Sequence, residues 1–362
     1  MDIESFSQAM SEICAHSLVS PGRALNWTII ANPCAGGFTI GSRWKKHLKI
    51  LNEYRQKAQV NPLREINGNS ILLTEAKGSG EKIARKLIED AGKNLAPFHL
   101  IITAGGDGTG LEVLSAIYNA PAHIRSNMAV LRLPMGTGND SADSKTLAGA
   151  LDLLVKPVKI KFGQALQLIT ASGGPARATQ TEHEGGPLLA FNILSVGLDA
   201  FVTHMTNKMK GKLPGDSYKL WVDIAATIYD RLYKVDYLDV RALDEHNRVI
   251  RSFNEKILLL AMGASGHRTY GSGKMILPNE HNVCGLKQMS LIRKLIFKGQ
   301  VVKGKHTELP ESIIFSANRL EFSGLHPILA QMDGETILLQ PEDFPAAIEL
   351  TAPVIPLLVK TE

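Results

Sequence analysis

The chain has 362 residues, of which 44% are hydrophobic and 21% are charged, and this length and composition are typical of a globular protein with two domains. Its formal net charge of +5 is small, and the basic residues are scattered along the chain. This charge is compatible with anionic lipids or nucleotides as ligands, but it is too small and too scattered to indicate a nucleic-acid-binding protein. Its three cysteines lack metal-ligand spacing and indicate reduced thiols in a cytoplasmic protein, and no apolar run reaches the roughly 20 residues of a transmembrane segment.

The first 24 residues predict an added helix whose role is packing. Ile3, Phe6, Met10 and Ile13 recur at helical spacing, so they share one face. The same residues include acids and no long apolar run, and they therefore do not resemble a secretory signal.

Short apolar runs then alternate with helical patterns as far as about residue 155. Strands are predicted at 27–31, 70–74, 98–103 and 130–133, and helices at 44–59, 81–91 and 111–118. This alternation predicts an α/β domain with a doubly wound parallel sheet. An Asn-Pro turn follows the first strand at Asn32, and on its own it is ordinary turn chemistry.

The third strand ends in a glycine-rich turn that contains a single acid. Its residues are Gly105, Gly106, Asp107, Gly108, Thr109 and Gly110. Glycines allow backbone amides to approach a ligand closely, and a helix that begins there favours a phosphate. A carboxylate beside a polyphosphate needs a cation between them, so Asp107 predicts Mg²⁺. Glycine content alone is equally consistent with a plain turn.

A second turn of the same kind follows the fourth strand. Its residues are Pro134, Met135, Gly136, Thr137, Gly138, Asn139 and Asp140. Two such turns after parallel strands are expected to share one edge of the sheet and to bind a ligand there.

The two turns, with Asn-Pro-Cys-Ala-Gly at 32–36, resemble the motifs of the diacylglycerol kinase catalytic family, which includes bacterial lipid kinases and sphingosine and ceramide kinases. The resemblance runs in order from about Trp27 to the C-terminus. It implies ATP and Mg²⁺ as cofactors, with Asp107 catalytic and acting through the metal, and it places Asp140 at the substrate. It also implies a nucleotide site made of Asn32, Thr74, Gly105, Gly106, Asp107, Gly108, Thr109, Gly136, Thr137 and Asn139.

Past Pro157 the pattern changes to short β-prone runs, which predict a mainly antiparallel β-sandwich or barrel. The predicted strands lie at 165–170, 188–196, 237–242, 256–262, 288–292, 312–322 and 336–340, with a loop at 172–187 and a helix at 217–233. We predict an extension at 1–24, a nucleotide-binding domain at 25–155 and a lipid-substrate domain at 156–362, whose last strand could return to the first domain.

Two motifs of the second half carry further candidate residues. The family resemblance makes Asp199, at the end of an apolar strand, a substrate-binding candidate, although a buried strand with a polar end is the plain alternative. Asp333-Gly334-Glu335 resembles the family's Asp-Gly-Glu, and a carboxylate there could accept or orient the acceptor hydroxyl. Glu335 is the first choice for this base and Asp333 the second, while Asp-Gly is also typical of a hairpin turn.

The chain departs from the family pattern at several places. Gly78-Ser79-Gly80 replaces Gly-His-Ala, Ser141-Ala142-Asp143 replaces an aromatic-Ala-Arg segment, and Lys161-Phe162-Gly163 stands where Asp-x-Gly is expected. Asn279 to Asn282 lies where many bacterial members have acids that hold a structural metal, which leaves that second metal open. These departures indicate an outlying member of the family.

Basic and apolar residues are interleaved between Leu291 and His306. This composition suits the surface of an anionic membrane and equally suits the solvated face of a surface helix.

The sequence therefore predicts a cytoplasmic, membrane-peripheral kinase of phospholipid biosynthesis that acts on a lipid such as diacylglycerol. A kinase of a soluble acceptor, like NAD kinase or phosphofructokinase, and a non-catalytic nucleotide- or lipid-binding relative are the alternatives. Nucleic acid is not an expected partner, and a homodimer is left open.

Overall fold

The computed structural model describes residues 3–136, 138–171, 187–209, 229, 234–270 and 274–361. The chain divides into two compact units, which we call unit 1 (Met1–Gln164 with Pro353–Glu362) and unit 2 (Ala165–Ala352). The loop predicted at 172–187 and the helix predicted at 217–233 lie almost wholly outside the described residues.

Unit 1 is an α/β unit built on a six-stranded sheet. Its strands are β1 Leu25–Ala31, β2 Ile66–Leu73, β3 Phe98–Gly105, β4 Met128–Pro134, β5 Val158–Gly163 and, from the end of the chain, β19 Ile355–Lys360. Its helices are α1 Ile3–Ala15, α2 Gly36–Thr39, α3 Gly41–Ala58, α4 Ser79–Lys93, α5 Asp107–Tyr118, α6 Ala122–Arg125 and α7 Leu147–Val155.

The strand order is β2-β1-β3-β4-β19-β5. Strands β1 to β4 are parallel, β19 runs parallel to β4, and β5 is antiparallel to β19. Every residue of β4 is buried, as expected for a parallel strand covered on both faces. Phe6, Met10 and Ile13 of α1 are buried in the same core, so the predicted packing role of the N-terminal helix is confirmed.

Unit 2 is mainly antiparallel. Its strands are β6 Leu166–Ile169, β7 Leu188–Ala190, β8 Ile193–Gly197, β9 Tyr237–Leu243, β10 Val249–Gly263, β11 Arg268–Tyr270, β12 Lys274–Leu277, β13 Val283–Lys287, β14 Ser312–Phe315, β15 Arg319–Ser323, β16 Ile328–Met332, β17 Glu335–Leu339 and β18 Ala346–Leu350. Two α-helices are described, α8 Leu198–Met209 and α9 Leu291–Val302, with short 3₁₀ turns at His306–Glu308 and Pro341–Asp343.

The main sheet of unit 2 runs β17-β16-β8-β10-β9-β15-β18-β6-β7, with β13 paired to β10 and β14. Alternate residues of β10 face two different cores. Leu260 and Met262 pack with Phe322 and Ile348 from the far part of the sheet, whereas Ala261 packs with residues of α8 and α9. The predicted fold class, a parallel α/β unit followed by a mainly antiparallel β unit, is therefore confirmed.

Three predicted strands differ from the structure. The strand predicted at 288–292 is wrong, because Ser290 accepts the N–H of Arg293 through its side chain and starts helix α9. The runs at 188–196 and 312–322 are each two strands, broken at 191–192 and 316–318.

Candidate active site

The parallel strands of unit 1 bring the predicted nucleotide residues to one edge of the sheet. In the strand register Ala31 is level with Leu73 and with Ala104, and Ala104 is level with Leu133. The residues that follow these strands therefore lie side by side at the carboxyl edge, where open parallel sheets bind ligands. They are Asn32, Thr74, Gly106 with Asp107, and Gly136.

Backbone hydrogen bonds hold the first two of these turns in place. The N–H of Asn32 donates to the carbonyl of Ala104 at 2.9 Å, and the Asn32 side-chain oxygen accepts the N–H of Cys34 at 2.9 Å. The N–H of buried Thr74 donates to the carbonyl of Ala31 at 2.9 Å. Both residues are thus set by the strands beside them.

The glycine turns after β3 and β4 approach each other more closely than side chains would allow. A Cβ built on Gly136 would lie 2.5 Å from the Cα of Gly106, and one on Gly105 would lie 2.5 Å from Oγ1 of Thr109. Thr109 is buried against that glycine, so only its backbone is available to a ligand. A Cβ on Gly108 would meet no described atom within 4 Å. The first turn of α5 therefore combines helix N–H donors with open space, which suits a phosphate.

Asp107 is held by a residue that the sequence did not single out as functional. Its Oδ1 accepts the N–H of Ser141 at 2.9 Å and the Ser141 hydroxyl at 2.6 Å. Its Oδ2 would lie 3.0 Å from a Cβ on Gly138, and Oδ2 of Asp140 would lie 3.4 Å from the same point. Two carboxylate oxygens converge there, and oxygen is the ligand that Mg²⁺ prefers.

Asn139 shapes the second turn. It has a positive φ of 57°, its Oδ1 accepts the N–H of Gly136 at 2.6 Å, and its Nδ2 donates to the Gly136 carbonyl at 3.1 Å. These bonds close the turn on itself, and Asn is one of the few residues that tolerate such a backbone. Thr137 lies outside the described residues, so its predicted contact stays a prediction.

In unit 2, Asp333 and Gly334 form the two-residue turn between β16 and β17. Their φ angles are 47° and 103°, and Met332 pairs with Glu335 across the turn. Positive φ at both central residues is the requirement of a type I′ hairpin.

The Asp333 carboxylate is buried and bonded to the backbone between β7 and β8. Its Oδ2 accepts the N–H of Phe191 at 2.5 Å, its Oδ1 accepts that of Ile193 at 2.9 Å, and both oxygens lie 3.1 Å from the N of Asn192. These bonds explain why the predicted strand 188–196 breaks at this point. Three amides engage the carboxylate, which favours an anchoring role for Asp333 over that of a base.

A buried polar network joins Asp199 to the same hairpin. The Ser195 hydroxyl donates to Oδ2 of Asp199 at 2.7 Å, and Nε2 of Gln331 donates to the Ser195 hydroxyl at 2.9 Å. Oε1 of Gln331 accepts the N–H of Gly334 at 3.1 Å. Asp199, at the start of α8, is thereby connected to the turn that precedes Glu335.

The charge of Asp199 also acts on a neighbouring thiol. Burial, with a smaller contribution from Asp199, raises the pKa of Cys284 to about 12. Cys284 is therefore a protonated thiol at neutral pH and not a nucleophile.

Residues 26–169 match the family model described as the diacylglycerol kinase catalytic domain. This part of the chain is similar to the diacylglycerol kinase catalytic-domain family.

Relatives with similar sequences come from several bacteria. A protein of Xanthomonas euvesicatoria pv. vesicatoria (strain 85-10) named "Probable lipid kinase YegS-like" is 25% identical over 275 residues, which cover 73% of this chain and 79% of that protein. A protein of the same name from Yersinia pestis (strain Pestoides F) is 28% identical over 210 residues, covering 58% and 61%.

A solved structure of a diacylglycerol kinase from Bacillus anthracis str. Sterne has a similar fold. It matches with a TM-score of 0.55 at 15% identity, and the match covers 92% of this chain and 96% of that one. At this identity the likeness concerns the fold alone.

The departures from the diacylglycerol kinase pattern have contacts of their own. Asp143 forms a buried ion pair with Arg132 of β4, with Nη2 2.6 Å from Oδ1, and its Oδ2 accepts the Arg132 N–H at 2.7 Å. The loop that carries Ser141 is thereby tied to the strand before it. An arginine inside the apolar run 130–133 was the signal in the sequence that could have revealed this partner.

The Gly78-Ser79-Gly80 departure is explained by Glu112 of α5. Its carboxylate accepts the N–H of Gly78 at 2.8 Å and that of Gly80 at 2.9 Å, at the start of α4. A Cβ on Gly80 would lie 2.8 Å from Oε2 of Glu112. An acid of the chain itself thus satisfies the N-terminal amides of α4.

Asn282 of the segment at 279–282 has a structural role. Its Nδ2 donates to the Ala317 carbonyl at 2.9 Å, and its Oδ1 accepts the Ala317 N–H at 3.0 Å. These bonds account for the break between β14 and β15. Within the described ranges, no three His, Cys, Asp or Glu side chains form a group that could hold a metal.

Among the described residues, no helix is long and apolar enough to cross a membrane.

Proposed function

We propose that the protein is an ATP-dependent lipid kinase that transfers the γ-phosphoryl group to a hydroxyl of a lipid such as diacylglycerol, at the cytoplasmic face of a membrane. The observation that carries the proposal is the position of Asp107. It stands at the first turn of α5 on the carboxyl edge of the sheet, between the two glycine turns, with one oxygen held by Ser141. The names of the relatives support a lipid as the acceptor.

In this proposal the phosphates of ATP lie at the start of α5. Gly106 and Gly136 allow the two turns to meet, Gly105 makes room for the side chain of Thr109, and Gly108 leaves the helix amides open to a phosphate. Asn32, Thr74, Thr137 and Asn139 complete the nucleotide site. Asp107, with Asp140 beside it, would hold Mg²⁺, which when bound neutralises charge on the phosphate oxygens.

Unit 2 would bind the lipid acceptor, and Glu335 would receive the proton of its hydroxyl. Asp333 is then a positioning residue, because its carboxylate is already bonded to three amides. The hairpin is restrained by a chain of hydrogen bonds that runs from Asp199 through Ser195 and Gln331 to the N–H of Gly334. This chain would set the direction of the Glu335 side chain.

The reaction is tested by transfer of labelled phosphate from ATP and Mg²⁺ to lipids in mixed micelles. The panel is diacylglycerol, phosphatidylglycerol, a sphingoid base and a ceramide, with NAD and fructose 6-phosphate as soluble acceptors. We expect one lipid to be labelled and the soluble acceptors to stay unlabelled. Labelling of a soluble acceptor alone would identify a different kinase, and bound ATP without any transfer would identify a non-catalytic relative.

Three variants separate the roles of the acids. Asp107→Asn should lower turnover about 100-fold while ATP binding changes far less, because its charge acts mainly in the transition state. Glu335→Gln should lose turnover and keep the thermal midpoint of unfolding. Asp333→Asn should lower that midpoint, because an amide NH₂ would face backbone N–H donors.

Glu342→Gln, at an exposed position of the second 3₁₀ turn, is the control for Glu335→Gln. Full activity of the Glu335→Gln variant would contradict its assignment as the base.

A further inference from the structure

Helix α9 presents apolar side chains to solvent. Leu291, Ile292, Leu295, Ile296 and Val302 are between 50% and 74% exposed. At 3.6 residues per turn these positions share one side of the helix, and we call them the α9 face. A contiguous apolar surface of this kind marks an interaction site more often than scattered exposed residues do.

The orientation of α9 is fixed by its opposite side. Phe297 is buried in the core of unit 2, and Val301 packs against the same core. The Arg293 guanidinium donates to both oxygens of Glu311, at 2.6 and 3.0 Å. One side of the helix therefore already packs on the core, and the α9 face is a second apolar side that is exposed among the described residues.

Basic residues predominate around the α9 face. From Lys287 to Lys305 the chain has six lysines and arginines and no acid, although Lys287 pairs with Glu255, Arg293 pairs with Glu311, and exposed Glu308 follows. Lys303 and Lys305 are exposed directly after the last turn of the helix. Aliphatic side chains that border on lysines match a surface with apolar chains beneath anionic head groups.

We propose that the α9 face docks on the surface of an anionic phospholipid bilayer. A second copy of the chain would also cover apolar side chains, but a two-fold contact through this face would bring its exposed lysines towards those of the other copy. A 12-residue helix is only about 18 Å long, which fits an element lying in the head-group region. The docking goes beyond the proposed reaction and does not require turnover.

The test is sedimentation of the full chain with vesicles, either phosphatidylcholine alone or phosphatidylcholine mixed with phosphatidylglycerol. We expect binding to the mixed vesicles and about tenfold weaker binding of the Ile292→Glu/Leu295→Glu variant. The matched control is Val60→Glu/Leu63→Glu in unit 1, because Val60 and Leu63 are apolar side chains with exposed fractions of 87% and 75%. Lys303→Ala/Lys305→Ala should reduce the preference for anionic lipid and its sensitivity to salt.

Thermal unfolding of each variant shows whether its fold is retained, and Ile292→Glu alone replaces the double variant if that one is unstable. Equal vesicle binding of the α9 and control variants would overturn the proposal. The proposal would also be overturned if the wild type formed a dimer and bound no vesicles, while the Ile292→Glu/Leu295→Glu variant was a monomer. Phosphoryl transfer to a dispersed short-chain diacylglycerol is measured separately, so that a failure of docking and a failure of the lipid-kinase reaction are distinguished.

Discussion

Ser141 is the residue that best explains how Asp107 is held. Its N–H and its hydroxyl both reach Oδ1 of Asp107, and the Arg132–Asp143 pair fixes the loop on which it stands. Because Oδ1 is held in place, Oδ2 of the same carboxylate keeps a fixed direction in which it could bind a metal. The segment that departs from the family pattern therefore supplies a positioning residue for the site.

Ser141→Ala should lower turnover about tenfold or more, because a hydrogen bond to a charged group contributes about 1.5–3 kcal/mol. The ATP affinity should change much less, since the backbone amides of the glycine turns stay in place. The measurement is kcat and the ATP dissociation constant for both proteins, with the dependence of kcat on Mg²⁺ concentration.

Ser141→Thr retains the hydroxyl and should restore most of the turnover. Ser126→Ala removes an exposed hydroxyl that donates to the His123 carbonyl, and it serves as the neutral control. A Ser141→Ala variant with wild-type kcat and wild-type Mg²⁺ dependence would refute the positioning role.

At the scale of elements, two glycines of the nucleotide turns have opposite constraints. Gly136 faces the backbone of Gly106, so a side chain there would collide with main-chain atoms that cannot move aside. Gly108 lies in the first turn of α5 and faces open space. The fold therefore requires a glycine at position 136 but not at position 108.

Gly108→Ala should leave the protein as stable as the wild type or more stable by about 0.5–1 kcal/mol, because alanine is the better helix former. Its ATP affinity should nevertheless fall about tenfold, equivalent to about 1.4 kcal/mol, because the methyl group occupies the space of a phosphate. Gly136→Ala should instead lose about 1–3 kcal/mol of unfolding free energy. Urea unfolding and ATP titration measure both quantities.

Gly41→Ala, in the first turn of α3 and with no described atom within 4 Å of its added Cβ, is the matched control for both variants. Unchanged ATP affinity in Gly108→Ala would show that phosphates do not approach this turn.

Elements set by local sequence could be predicted, and elements set by distant side chains could not. The ends of β1, β3 and β4 follow from apolar runs that stop at asparagine, glycine or proline, and so the two glycine turns could be assigned to one edge. Asn32 and Thr74 could be added to this site only through the family resemblance. The strand breaks at 191–192 and 316–318 depend on Asp333 and Asn282, which are far away in the chain. The β-prone residues at 288–292 predicted a strand, but the side chain of Ser290 caps helix α9, which begins at Leu291.

The same distinction applies to the candidate site. The Asp-Gly pair at 333–334 predicted both a hairpin and a base, and local sequence contains nothing that separates the two roles. The carboxylate of Asp333 is drawn to the amides of 191–193 only when β8 and β16 pair. The pairing of Arg132 with Asp143 likewise forms only when the segment after β4 folds back against β4.

At the scale of the whole molecule, the end of the chain completes the unit that begins it. β19 inserts between β4 and β5, and the N–H of Val354 and Thr361 bond to the carbonyls of Gly163 and Pro157. Sheet formation in unit 1 therefore depends on residues beyond unit 2. Parallel pairing of segments so distant in sequence has a high cost in loop-closure entropy.

One buried and three partly buried histidines make the stability of the protein depend on pH. Burial is the largest cause that lowers the pKa of His47, His99, His204 and His306 below 6.5. His306 is fully buried beside Phe297, its Nε2 lies 3.0 Å from the Ile276 carbonyl, and its Nδ1 has no partner among the described atoms. Its neutral form is the one that the folded state accepts.

The unfolding free energy should therefore fall as the pH is lowered from about 7.5 to about 5.5. Below the unfolded pKa of 6.5 the unfolded chain binds protons that the folded chain, with its lower pKa values, does not yet bind. The slope of unfolding free energy against pH is thus positive in this window, and it disappears once the folded pKa is passed. Urea unfolding at several pH values, followed by circular dichroism, measures the slope.

His306→Gln keeps an Nε2–H donor for the Ile276 carbonyl and cannot titrate, so its slope should be smaller than that of the wild type between about pH 5.5 and 6.5. His246→Gln replaces an exposed histidine and is the matched control for the substitution itself. Acids with lowered pKa values, such as Glu311 beside Arg293, lose their contribution only at lower pH, when the carboxylate itself is protonated. A wild-type slope in His306→Gln would assign the pH dependence to the three partly buried histidines, His47, His99 and His204.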